Sequence, residues 1–206
     1  MTLYIVIITS IISVIAFNNQ EIFRKLQLNS YQAYHHREYY RLLSHSLLHA
    51  DWLHLIVNMF VLYSFGQNVE SYFQQMDAAG ILRYPQAYFL FFYTTAVVAA
   101  SVSTLKKYRD HTEYNSVGAS GGVSAVVFAS IFFNPWGKLY FYGVLPIPGI
   151  IFGAAYLGYS WYMGRKEGGY INHDAHYWGA LYGLIFPLCI DYHLFNLFIE
   201  RLIHFS

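Results

Sequence analysis

Ser120 stands in the run Gly118-Ala119-Ser120-Gly121-Gly122, and a serine hydroxyl between glycines is a candidate nucleophile. The pattern Gly-x-Ser-Gly by itself suits close helix packing by small residues equally well. Position adds the chemistry. The run opens an apolar stretch, so the N–H groups of a helix start lie beside the hydroxyl and can stabilise an oxyanion. A serine nucleophile needs a base, and the segment Ala175-His176-Tyr177-Trp178-Gly179-Ala180-Leu181-Tyr182-Gly183 offers His176. Gly179 and Gly183 form a GxxxG face that admits a neighbouring helix closely, and His176, one turn earlier, projects toward that neighbour. If the neighbour is the helix opened by Ser120, the two groups meet. An ionisable side chain in a membrane segment is a functional candidate by default, although His176 alone also reads as an interfacial histidine at a helix start.

Trp52-Leu53-His54-Leu55-Ile56-Val57-Asn58 adds a second polar pair. His54 and Asn58 are four residues apart and share one helix face. Both are costly in lipid and should face the bundle interior, where donors on one face suit an oxyanion site. His45 and His49 invite a zinc reading, but no glutamate follows as in His-Glu-x-x-His and no third ligand is in place, so no metal is expected. Asp174 lies two residues before His176 and on a helix points elsewhere, so it is not enlisted as a third acid.

The elements that must position these residues are helices in lipid. Only 11% of the 206 residues are charged and 56% are hydrophobic, against roughly 25% charge in soluble domains. Charges thin out over long stretches and gather between them, and the 21 tyrosines suit membrane–water interfaces. A net charge of +1 without a long basic run gives no sign of a nucleic-acid partner. The single Cys189 excludes an intramolecular disulfide. Met1 to Phe17 lacks a basic start and a small-residue cleavage site, and is expected to be a retained membrane helix rather than a signal peptide. Six segments have the length and apolarity of spans, roughly 2–17, 53–70, 86–104, 118–134, 147–164 and 174–193. The expected fold is all-α, a single polytopic domain over the whole chain, with a long first loop over residues 18–52. Leu194 to Ser206 reads as an interfacial amphipathic helix.

Taken together, these residues resemble the rhomboid intramembrane serine proteases, from about residue 36 to residue 185. His54-x-x-x-Asn58, Gly118-x-Ser120-Gly121 and Ala175-His176-x-x-Gly179-x-x-x-Gly183 occur in the family's order. Tyr40-Arg41, His45, His49 and Glu70, closing the second span, are further family-like features. The resemblance implies a six-helix bacterial-type core and a Ser120–His176 dyad. It also implies an oxyanion site of His54, Asn58 and the Ser120 N–H, no cofactor, and support from Gly118, Gly121, Gly179, Gly183, Arg41 and Glu70. Arg41 would anchor the first loop against the bilayer surface. Residues 105–117 would dip into a water-filled cavity, and residues 165–173 would cap it. Some relatives carry an aromatic residue four positions after the nucleophile, against which the histidine stacks. Here that position is Ser124, so His176 must be oriented from elsewhere.

The resemblance implies cleavage of transmembrane protein substrates, which would unwind beside the second and fifth spans, with lipid as the other partner. It places the enzyme in a bacterial inner membrane, N-terminus inside and active site opening outside. The basic residues point the other way. Arg24, Lys25, Arg37, Arg41, Lys106, Lys107, Arg109, Arg165 and Lys166, nine of the twelve, fall in loops on the active-site side. We follow the family orientation. A non-catalytic rhomboid-like protein that binds membrane clients is one alternative, although Ser120 and His176 are both retained. A polar-pathway transporter is another, although the spans hold no acidic residue apart from Glu70 and Asp174 near span ends and Asp191 near the end of the last span.

Overall fold

The computed structural model describes residues 1–141, 145–166 and 171–204, and most of them are helical. The helices are α1 (Thr2–Phe17), α2 (Gln20–Leu26), α3 (Ser30–His35), α4 (Arg41–Ser44), α5 (Trp52–Ala78), α6 (Pro85–Tyr108), α7 (Ser120–Phe133), α8 (Gly149–Gly164), α9 (His173–Ile190) and α10 (Leu194–Ile203). Their starts follow from local chemistry. Asn19, Asn29, Asp51 and Asn172 accept first-turn N–H groups of α2, α3, α5 and α9, and Pro85 opens α6.

Helix α1 shows what solvent the fold is built for. Its buried stripe, Thr2, Ile5, Thr9, Ser13 and Ala16, recurs every three to four residues and is largely polar or small. Ile7, Ile8, Ile11 and Ile15 point outward instead. A water-soluble helix has the reverse arrangement. Leu53, Ile56, Val57 and Phe60 on α5 and Ile151 on α8 extend this apolar exterior, which suits acyl chains.

Helix α7 is the axis of the bundle: every residue from Gly121 to Phe133 is buried. It packs against α9, α5 and α6, and small residues let it do so. A β-carbon on Gly179 would overlap the Gly121 carbonyl oxygen, and one on Gly183 would overlap that of Ala125. Gly122 meets Val97 and Tyr93 of α6 in the same way. The α1 start lies beside the second half of α5, where Glu70 Oε1 accepts the Thr2 N–H at 2.6 Å. At the other end the Phe17 and Trp52 rings meet at 5.1 Å, so α1 and α5 run antiparallel.

Several features differ from the sequence expectation. Among the described residues only α6 is long and apolar enough to cross a bilayer by itself. Helix α5 qualifies together with residues 41–47, across a 99° bend, and α1 and α7 are apolar but shorter. Length and composition therefore do not yield six independent spans. Helix α5 does not close at Glu70 but continues to Ala78, because Ser71, Gln74, Gln75 and Asp77 end the apolar run without ending the backbone ladder. Two short ribbons also break the all-α expectation. Leu28–Asn29 pairs antiparallel with Asn115–Ser116, and Lys138–Phe141 with Leu145–Pro148. In the second, Pro146 and Pro148 alternate, so both missing N–H groups fall on the same edge. Helix α10 lies over the α7 end, with Arg201 donating to the Phe133 carbonyl and the Trp136 indole to the Leu202 carbonyl at 3.0 Å. Of the expected cap over 165–173, residues 167–170 lie outside the described residues.

Candidate active site

The first loop builds the floor on which Ser120 stands. Arg41, buried, donates from Nη1 to the carbonyls of Arg24 (2.9 Å) and Gln27 (2.8 Å), and from Nε to Glu38 Oε2 at 2.5 Å. One guanidinium thus ties α4 to the end of α2. Its hydrogen-bond partners all lie in the first loop, and the Tyr40 ring lies beside it at 5.4 Å.

From this braced loop, His45 and His49 reach the Ser120 turn. The His45 carbonyl accepts the Gly118 N–H at 3.0 Å. Its ring uses Nδ1 on the Arg41 carbonyl (3.0 Å) and Nε2 on Ser101 Oγ (3.3 Å). The Ser13 hydroxyl donates to the Leu47 carbonyl at 2.8 Å, so it accepts from His49 Nδ1–H at 2.9 Å. His49 Nε2 is then free to accept the Ala119 N–H at 3.5 Å. The His45 carbonyl and the His49 ring thus hold the loop to residues 118–119, while the His45 ring braces Arg41 and Ser101. Burial lowers His45 to about 4. Burial, with His54 nearby, takes His49 to about 3 against the opposing pull of Asp51.

Gly118 has a φ of +125°, a conformation that favours glycine. A β-carbon there would run into the His54 ring, so the turn requires glycine twice over. Ser120 opens α7, half-buried, and its N–H lies in the first turn, where no helical acceptor exists. The His54 ring thus lies over Gly118, beside the serine, with the His49 ring edge-on at 4.9 Å. Asn58 is buried on the same face of α5, and its amide donates to the His54 carbonyl at 2.8 Å. One of its two N–H groups is therefore turned to its own helix.

His176 enters from α9. Asn172 caps that helix by accepting the Ala175 N–H at 3.1 Å, and its amide donates to Thr104 Oγ1 at 2.7 Å. The Gly179 and Gly183 contacts draw α9 against α7 and bring His176 Nε2 to 2.7 Å from Ser120 Oγ. Asp174 turns away, pairing with Lys107 at 2.7 Å, while Lys107 also donates to the Gly164 carbonyl at 2.8 Å. Of the sequence candidates, Ser120, His176, His54 and Gly118 converge at the α7 start. Gly121, Gly179 and Gly183 sit at the α7–α9 contact behind them. Arg41 and Glu70 act at a distance, on the first loop and on α1. Sequence reasoning missed Tyr156 of α8, whose hydroxyl lies 2.6 Å from Ser124 Oγ and whose ring lies 6.3 Å from His176. It also missed Asn172, although an asparagine just before an apolar run is an N-cap signal.

A bundle with an apolar exterior, a buried central helix and a serine–histidine contact at that helix's start belongs to a class of helical membrane proteins. A family model described as Rhomboid domain matches residues 36–192. The chain belongs to the rhomboid family, a family of membrane proteins. It is similar to RHOMBOID-like protein 12, mitochondrial, of Arabidopsis thaliana, at 26% identity over 144 residues. That alignment covers 68% of this chain and 43% of the relative, so the chain spans less than half the relative's length.

Proposed function

We propose that the protein is an intramembrane serine endopeptidase in which Ser120 is the nucleophile and His176 its base. The 2.7 Å contact between Ser120 Oγ and His176 Nε2 carries this conclusion. With Nε2 as acceptor, the serine proton passes to the imidazole as Oγ bonds to the scissile carbonyl carbon. Negative charge develops on the carbonyl oxygen beside the Ser120 N–H, His54 and the second N–H of Asn58. Collapse of this adduct breaks the C–N bond, and the imidazolium gives its proton to the leaving amine. A water, deprotonated by His176, then attacks the acyl-enzyme, releases a carboxylate and restores the serine.

The substrate class we propose is transmembrane segments of other proteins, entering beside α5 and α8. A 14-residue α7 is only about 21 Å long, short of a hydrocarbon core of about 30 Å. If its far end lies at one face, Ser120 lies beneath the other, reached by water through the mouth. Sequences with weak helix propensity should be preferred, because the scissile carbonyl must first leave its own helical hydrogen bond. The six-span core we propose comprises α1 and α5 to α9. We place this core in a bacterial inner membrane, with the opening to Ser120 on the extracytoplasmic side. Labelling by a fluorophosphonate tests the assignment: we expect modification of the wild type and none of Ser120→Ala or His176→Ala. An intact, folded wild type that resists the probe would favour a client-binding or transport role. An impermeant probe on whole cells reads the orientation.

A further inference from the structure

We propose that Tyr156 is the positioning residue for the His176 imidazole, and that Ser124 sets Tyr156 by holding its hydroxyl. The inference rests on the serine–histidine chemistry proposed above. His176 Nε2 is engaged with Ser120, and among the described residues no carboxylate lies within ion-pair reach of the ring. A single hydrogen bond fixes the distance to the serine but leaves the imidazole plane able to turn about it.

The Tyr156 ring lies alongside that plane, with centroids 6.3 Å apart and planes inclined by 23°. This offset, near-parallel arrangement is a favoured one for aromatic rings. Tyr156 is itself held on several sides. Its hydroxyl is 2.6 Å from Ser124 Oγ, and its ring packs on Phe128 at 5.6 Å and Phe152 at 5.7 Å. The His173 ring stands edge-on to His176 at 6.0 Å, so the imidazole is confined from two directions. Ser124 lies four residues after Ser120 on α7, on the same helix face. The nucleophile and the hydroxyl that aligns the base's neighbour are therefore mounted on one buried helix. Tyr156, by contrast, is carried by α8, so the imidazole is oriented only while α8 keeps its place against α7.

The test uses the full-length protein in detergent, reading fluorophosphonate labelling and cleavage of a transmembrane peptide across pH. Tyr156→Ala should slow labelling about tenfold to a hundredfold, the cost of a misplaced reacting group. The loss should fall on kcat rather than KM, with a shifted pH–rate profile, while the thermal melt shows a folded protein. Tyr156→Leu, which keeps bulk without a ring plane, should behave the same and replaces the alanine variant if that one unfolds. Tyr156→Phe and Ser124→Ala each remove the hydroxyl contact. They should show equal and smaller slowing, about threefold, and combining them should add nothing. A folded Tyr156→Ala protein with wild-type labelling rate and pH profile overturns the role of Tyr156. Additive losses in the double variant overturn that of Ser124. A wild type that does not label at all defeats the protease assignment instead, so the failures are distinguishable.

Discussion

The carbonyl oxygen of Gly121 occupies the place where a β-carbon on residue 179 would have to stand, so α7 and α9 meet backbone to backbone. Gly183 repeats the contact one turn on, against Ala125. Two glycines thus fix the separation of the helices that carry Ser120 and His176. Gly179→Ala should destabilise the protein by about 1–3 kcal/mol, as overpacking does, and Gly179→Val by more. Both should slow fluorophosphonate labelling because the helices can accept the side chain only by parting. Melting in detergent alongside the labelling rate checks both effects.

Asp174 sits two residues from the proposed base yet pairs with Lys107 at 2.7 Å. Its carboxylate is therefore not a third member of a triad. Asp174→Asn should leave Ser120 labelling within about twofold of wild type and cost less than about 1 kcal/mol, typical of a partly exposed ion pair. A loss of a hundredfold or more in a folded variant would contradict this assignment.

Arg41 serves the Arg24 and Gln27 carbonyls and the Glu38 carboxylate at once. Lysine has no planar fork to reach all three. Arg41→Lys and Arg41→Ala should both lower the melting temperature, and the alanine variant should cost about 2 kcal/mol of stability because it removes a charged donor from three part-buried acceptors. Protease nicking in the first loop should rise in parallel, and limited proteolysis with mass spectrometry would locate the cuts.

His45 and His49 make stability depend on acid. Burial lowers them from near 6.5 to about 4 and about 3, so the unfolded chain binds their protons first. Their contribution is fully present above pH 6.5 and is lost as pH falls toward the folded values, at up to about 1.4 kcal/mol per pH unit for each. Protonating His49 also removes the acceptor for the Ala119 N–H next to Ser120. Melts from pH 7.5 to 4.5 should show this slope, and His49→Gln should flatten it.

The Ser120–His176 contact was legible because short motifs encode it: glycines around Ser120, and glycines at helical spacing after His176. Those glycines report close helix contact, which is a local property. The helix starts were nearly as open to reading, since Asp51, Pro85 and Asn172 are local signals too. The Tyr156–His176 contact was not legible. It joins residues on different helices, and nothing within reach of either in sequence marks the other. The Lys138–Phe141 and Leu145–Pro148 ribbon was hidden for the opposite reason, because its prolines read as loop while their alternation permits one paired edge. The end of α5 was misplaced because hydropathy records where lipid should stop, whereas a helix stops where its backbone bonding fails.

The brevity of α7 has one more consequence. In the proposed protease its fourteen residues would act as a ruler between the far face of the membrane and the Ser120 hydroxyl. A substrate cut at that depth would leave one product with a stub of apolar sequence on the mouth side, too short to hold that fragment in the bilayer. Lengthening α7 by a full turn would raise the hydroxyl by about 5.4 Å while keeping its facing roughly constant. The cleavage position along a substrate should then move by three to four residues toward the mouth.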